Sequence, residues 1–168
     1  MLSLFCVFVP ILATAQVSDA KVVDLRDGYA RVETSSYVID VPKGWKVSEE
    51  TPWGQRKAKP GSGAGELGVM TAPPSQQGWD QLYDTALYFI NREESGKATP
   101  YKLVKTPAGY DAATFEVLDK EGFAARRFVM VKHPEKGLLA LSVRVPNRKE
   151  DEKWTAHFER MVKSARFK

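Results

Sequence analysis

Two consecutive stretches late in the chain constrain the fold more than any others. In the later one, Leu139, Leu141, Val143 and Val145 alternate with Ala140, Ser142 and Arg144. In the earlier one, residues 123–132, Val129 and Val131 share one face while Phe128 and Met130 share the other. Side chains along a strand point alternately to opposite faces. A strand apolar on both faces belongs to a sheet that needs cover on both sides. Residues 101–106, 111–118 and 123–132 and the strand carrying Leu139 are separated by Pro107-Ala108-Gly109, Asp119-Lys120-Glu121-Gly122 and His133-Pro134-Glu135-Lys136-Gly137. Each gap is hairpin-sized, which predicts an antiparallel meander.

Two amphipathic segments can cover it. Trp79, Leu82, Tyr83, Ala86, Phe89 and Ile90 recur at helical spacing, with Ser75 or Gly78 as cap and Gly96 as the glycine just past the end. The second helix has Asn147 at its N-cap and Glu150 three residues on, a capping-box arrangement. Acidic Glu150-Asp151-Glu152 open it, and Lys163, Arg166 and Lys168 end it, both favourable to the macrodipole. Its buried stripe is Trp154, Phe158, Met161, Val162 and Ala165. Upstream, Tyr37-Val38-Ile39-Asp40-Val41 alternates and stops at Pro42-Lys43-Gly44. Residues 46–50 and 53–58 read as strands around Thr51-Pro52, residues 59–65 as a glycine-rich loop, and residues 66–72 as a strand ending at Pro73-Pro74. The fold class expected is α+β, an antiparallel sheet with helices packed on its faces.

The N-terminus supplies an address. Leu2-Ser3-Leu4-Phe5-Cys6-Val7-Phe8-Val9-Pro10-Ile11-Leu12 is uncharged and apolar, and Ala13-Thr14-Ala15 offers a small-x-small cleavage site. Its length suits a secretory h-region of about 7–15 residues and falls short of the roughly 20 that span a bilayer. Residues 1–15 therefore read as a signal peptide and 16–168 as one domain, exported to periplasm or medium and not membrane-spanning after cleavage. No Lys or Arg precedes the apolar run, and a second cut after Ala20 is an alternative. Cys6 is the chain's single cysteine, so the mature domain can form no disulfide and must rely on packing.

The formal charge of +4 comes from 25 basic against 21 acidic residues, interspersed. Nucleic-acid binders cluster their cations against about 6–10 phosphates, so nucleic acid is not an expected partner; weak attraction to anionic surfaces is. Chemistry is sparse. His133 sits in a turn and His157 in the last helix, too few to suggest a triad or a zinc site. Gly63-Ala64-Gly65-Glu66-Leu67-Gly68 matches G-x-G-x-x-G, but it runs into a strand rather than a helix. An enzymatic reading would need Glu116 or Asp40 buried beside His133 in a cleft. The sequence calls for no cofactor and no metal. The stretch with most promise is Trp53-Gly54-Gln55-Arg56-Lys57-Ala58-Lys59, where a Trp beside basic residues and a glycine loop forms a candidate interaction surface of Trp53, Arg56, Lys57 and Lys59.

The order of elements, with Tyr37-Val38-Ile39-Asp40-Val41-Pro42-Lys43-Gly44-Trp45 and the closing Phe158-Glu159-Arg160-Met161-Val162-Lys163-Ser164-Ala165-Arg166-Phe167, resembles the PsbP/Mog1-like superfamily. The resemblance covers roughly residues 24–168. It implies an α/β/α sandwich around an antiparallel sheet, and accessory or docking subunits rather than a shared catalytic motif. The expectation is an exported, non-enzymatic accessory domain whose partner is another envelope or secreted protein. The alternative is a small hydrophobic-ligand binder with a pocket lined by Tyr83, Phe89 and Tyr101.

Overall fold

Strand alternation and short turns build the sheet that the meander pattern requires. The computed structural model describes residues 20–93 and 96–168. The expected leader, with Cys6 and the cut after Ala15, lies outside the described residues. Along the chain come β1 (Lys21–Asp24), β2 (Tyr29–Glu33), β3 (Tyr37–Pro42), β4 (Lys46–Val47), β5 (Gln55–Lys59), β6 (Glu66–Ala72) and α1 (Trp79–Glu93). Then follow β7 (Lys97–Ala98), β8 (Lys102–Lys105), β9 (Asp111–Leu118), β10 (Ala124–His133) and β11 (Gly137–Arg144). A 3-10 turn, Arg148–Glu150, leads into α2 (Asp151–Ser164), and β12 (Arg166–Phe167) comes last.

The strands form two antiparallel sheets. The larger has eight strands, running β4-β5-β6-β11-β10-β9 with β7 and β8 end to end along the outer edge of β9. The smaller runs β1-β2-β3-β12. Register explains the two-faced pattern: Val129 opposes Leu141 and Val131 opposes Leu139, while Met130 opposes Ala140 and Phe128 opposes Ser142. The first set packs with Leu67 and Val69 against Val32, Ile39 and Val41 of the small sheet and Trp154, Phe158 and Met161 of α2. On the other face, Ala113, Phe115, Val117 and Met130 lie under Leu82 and Ile90 of α1.

One face is therefore shared between α2 and a second sheet. A helix about 10 Å wide covers roughly two strands spaced about 4.8 Å apart, so α2 alone could not cover eight.

The caps follow the sequence with refinements. Gly78, not Ser75, caps α1: its carbonyl accepts from Leu82 N–H at 3.1 Å, and its own N–H donates to Gln81 Oε1 at 3.2 Å. Asn147 caps the 3-10 turn rather than α2, whose own N-cap, Glu150, makes no side-chain capping bond: Asn147 Oδ1 accepts from the N–H groups of Lys149 and Glu150, and its amide donates to Glu150 Oε1 at 2.9 Å. Glu150 thus answers through the Asn side chain. Gly96 does not adopt the left-handed conformation of a helix end; a Cβ there would strike Val117, so close approach of β7 to β9 demands the glycine.

Two expected strands shrink. Residues 46–50 keep only β4, and β5 starts at Gln55 because Trp53-Gly54 turn, with Gly54 at φ +77° and its N–H on Thr51 O at 2.9 Å. Phe89, placed in the α1 stripe by spacing, stands 56% exposed; it lies at the stripe's margin.

The short β12 completes the small sheet. Arg166 opposes Val38 and Phe167 opposes Tyr37. Two residues on, the Asp40 N–H meets no strand and donates instead to Ser164 Oγ at 2.7 Å. The Ser-Ala-Arg-Phe ending thus continues the edge of β3, first with a backbone ladder and then with a hydroxyl.

Candidate functional site

Strand parity decides what β5 presents. Ala58 and Arg56 share one face, Gln55, Lys57 and Lys59 the other. Ala58 belongs to the inter-sheet core, so Arg56 points inward as well, only 2% exposed. Its guanidinium donates to Ser48 O at 2.6 Å and pairs with Glu50 at 3.3 Å, tying down the segment after β4. Arg56 is therefore not presented at the surface with its neighbours. The alternation of Arg56 with Ala58 was the signal that separates it from Lys57 and Lys59.

Lys57 and Lys59 lie on the α1 side of the sheet, where both reach Glu66 on β6. Lys57 Nζ is 3.2 Å from one carboxylate oxygen and Lys59 Nζ 3.0 Å from the other, with Arg126 reaching across from β10 at 3.9 Å. The Glu66 side chain is nearly buried, whereas those of Lys57 and Lys59 keep 34% and 52% exposure. Burial pushes the Glu66 carboxyl up, but the Lys59 hydrogen bond and the Lys57 charge outweigh it and hold its pKa below the ordinary value. Among the described residues, the cluster under α1 includes none from β5 or β6. Trp53 occupies the turn before β5 and is 67% exposed.

The other candidates are placed apart. His133 Nδ1 accepts from the N–H groups of Glu135 and Lys136, and its ring meets Tyr110 and Phe167. Asp40 is buried, but against Arg31 and Arg160. Glu116 pairs with Arg127, which also binds Asp151 and Thr155 on α2. The three do not converge. The glycine motif enters β6 at Glu66, a strand as read from sequence. Gly65 touches the Trp154 indole so closely that a Cβ would collide with it. Among the described residues, no group of three or more His, Cys, Asp or Glu could hold a metal ion, and no helix is long and apolar enough to cross a membrane.

Beneath α1 the expected ligand space is occupied by side chains. Tyr83 packs on Tyr101 and Phe115 at 5.3 and 5.1 Å and donates to Thr99 O at 2.7 Å. Tyr101 donates to Asp80 at 2.6 Å. A cavity of ≈ 10 Å³ does occur between the sheets, lined by Val32, Ile39, Val41, Leu67, Val69 and Met161 among others. That is room for about one water.

His157 sits among Tyr29, Trp45 and Trp154, with ring centroids 5.9, 5.4 and 6.4 Å away. Tyr29 Oη and His157 Nδ1 lie 3.1 Å apart. Burial first, then the Lys153 charge, lowers its pKa. A group that takes up its proton less readily when folded leaves stability complete above the unfolded value of about 6.5 and erodes it as pH falls toward the folded value. Urea unfolding between about pH 7.5 and 5 should show this decline, with a shallower slope in His157→Gln. Equal slopes would remove His157 as its source.

No family model matches this sequence, and no curated protein does. Among solved structures, the solution structure of cyanobacterial PsbP from Synechocystis sp. PCC 6803 is similar, with TM-score 0.55 and 13% sequence identity over 92% of this chain and 96% of that one. At that identity the likeness speaks for architecture and not activity. With its mixed α+β layers and antiparallel sheets, the chain has a PsbP-like fold.

Proposed function

We propose that this chain is an exported accessory domain that docks another protein of the envelope and performs no catalysis. The observation that carries this reading is the outward face of the 53–59 stretch. Trp53 stands mostly exposed in its turn, and Lys57 and Lys59 lie half-open on the part of the sheet that the α1 cluster does not reach. Exposed aromatic anchors near cationic side chains suit protein recognition. The uncharged run from Leu2 to Leu12 supports export, and the resemblance to PsbP/Mog1-like proteins supports an accessory role.

The tagged protein, expressed with its own N-terminus, should be recovered from the exported fraction without its first fifteen residues; intact Met1 in cytosol would overturn the address. Pull-down from an envelope fraction should retain a partner on the wild-type protein and lose it on Trp53→Ala and on Lys57→Glu. Trp53 is exposed and Lys57 half-buried, so circular dichroism on both variants must match the wild type for the loss to be read as a lost surface. Full retention by both variants discards the surface.

A further inference from the structure

The large sheet ends on β8 with its apolar pattern unfinished. Directly opposed residues of an antiparallel pair share a face. Leu103, opposite Ala113, therefore extends the face beneath α1, and Val104, opposite Ala112, extends the face between the sheets. Both reach solvent, Leu103 62% and Val104 40% exposed. Among the described residues, no strand pairs with the outer side of β8. The Thr106 N–H donates to Tyr110 O at 3.0 Å. By alternation, Lys102 and Val104 turn their backbone groups toward β9, and Leu103 and Lys105 turn theirs outward. Pro100 and Pro107, which have no N–H to offer, bound this open stretch.

Charge says what can complete the sheet here. Lys97 of β7 and Lys102 and Lys105 of β8 line this edge, all exposed. Asp111 answers Lys105 at 2.6 Å, and Glu116 on the neighbouring strand is engaged by Arg127. Among the described residues, Lys97 and Lys102 have no carboxylate partner. A second copy does not suit the edge. Antiparallel pairing sets outward-facing residues against each other, so two β8 strands would centre on Leu103 or on Val104. The first register puts Lys102 opposite Val104 and the second puts Lys105 opposite Leu103, and either gathers four lysines on one ribbon. Edge lysines guard against such self-pairing. An extended segment reading acid-apolar-apolar-acid fits instead. Laid antiparallel along β8, its acids stand opposite Lys105 and Lys102 and its apolar pair opposite Val104 and Leu103. Each face of the sheet then gains one apolar and one acidic side chain.

We propose that β8 docks an extended segment of a partner protein, an acid-apolar-apolar-acid strand that adds to the large sheet. The outward backbone groups of Leu103 and Lys105 hold it, and the two lysines select an acidic partner over another copy of this chain. This edge and the 53–59 stretch lie at opposite ends of the strand order, so the contact is a second one and does not depend on the first.

The test is NMR titration and amide hydrogen exchange of the intact protein with a capped Ser-Glu-Val-Val-Glu-Ser peptide. At saturation the Leu103 and Lys105 amides should exchange at least about tenfold more slowly, because each gains a bond, while Val104, already bonded to β9, should change little. The peptide's second valine meets Leu103 in a hydrogen-bonded pair and its first valine turns its N–H away. N-methylation of the second should therefore abolish binding, and N-methylation of the first should leave it nearly intact. A Ser-Lys-Val-Val-Lys-Ser peptide should not bind the wild type, a comparison that needs no variant. Lys102→Glu with Lys105→Glu, at exposed side chains, should weaken the acidic peptide about tenfold or more and accept the basic one. Equal effects of the two methylations, no added protection at Leu103 and Lys105, or equal binding of the two peptides overturns the proposal. So does sedimentation as a dimer with those two amides already protected, which would assign the edge to a second copy. Trp53→Ala should bind the acidic peptide as the wild type does, so failure of the 53–59 surface and failure of this edge are read separately.

Discussion

Asp40→Ala should lower stability by about 3 kcal/mol, seen as a reduced urea midpoint at unchanged slope. The carboxylate is 1% exposed, and both of its oxygens are engaged. Arg31 Nε donates to Oδ1 at 3.0 Å, and Arg160 presents Nε and a terminal amine to Oδ2 at 3.1 and 2.9 Å. Arg160 is itself steadied by Asp27 at 2.8 Å and by the Tyr29 ring 5.1 Å away. The bond to Asp40, followed by its charge, raises the Arg31 pKa. Because β3 carries Asp40 and α2 carries Arg160, the cluster fastens the helix to the small sheet. Removing a partner from a buried ion pair costs about 3–5 kcal/mol; the lower end applies because Arg31 and Arg160 reach solvent and can rehydrate. A loss under about 1 kcal/mol would mean that these pairs behave as screened surface contacts.

Trp154→Ala should cost about 3–5 kcal/mol, the range for emptying a large aromatic site. The indole is buried, lies 5.0 Å from the Trp45 ring, and donates its N–H to Glu150 Oε2 at 3.2 Å. It also explains why the loop before β6 ends in glycine. Gly65→Ala should cost about 1–3 kcal/mol by forcing a methyl against the indole. In the Trp154→Ala background that penalty should vanish, since the methyl then enters space the indole vacates. The double-mutant cycle should therefore show a favourable coupling of about 1 kcal/mol or more. Strict additivity would place Gly65 out of contact with Trp154.

Most of the large sheet could be read from the chain because local signals and tertiary demands agree there. The bounds of β6 and β9 match the residues expected, set by Pro73-Pro74 at one end and by Gly109 and Asp119 turns at the others. Asp119 shows why: its Oδ1 accepts from the N–H groups of both Glu121 and Phe123, a turn fixed within five residues. Four strands went unread: β1 and β2, upstream of the Tyr37 strand, and β7 and β12, which are two residues each and owe their existence to a distant partner rather than to alternation. Phe89 misled because helical spacing gives a direction but not the width of the contact. Arg56 misled through composition: among Lys57 and Lys59 it looked like surface, while its parity with Ala58 pointed inward. The Glu66 cluster joins residues from β5, β6 and β10, and no spacing along the chain foretells it.

The way β12 finishes the small sheet bears on when this protein can mature. Ser164 and Phe167 satisfy the outer edge of β3 from more than 120 positions downstream. A nascent chain lacks that edge until Phe167 is made, so the small sheet is completed only once α2 and the residues after it have left the ribosome.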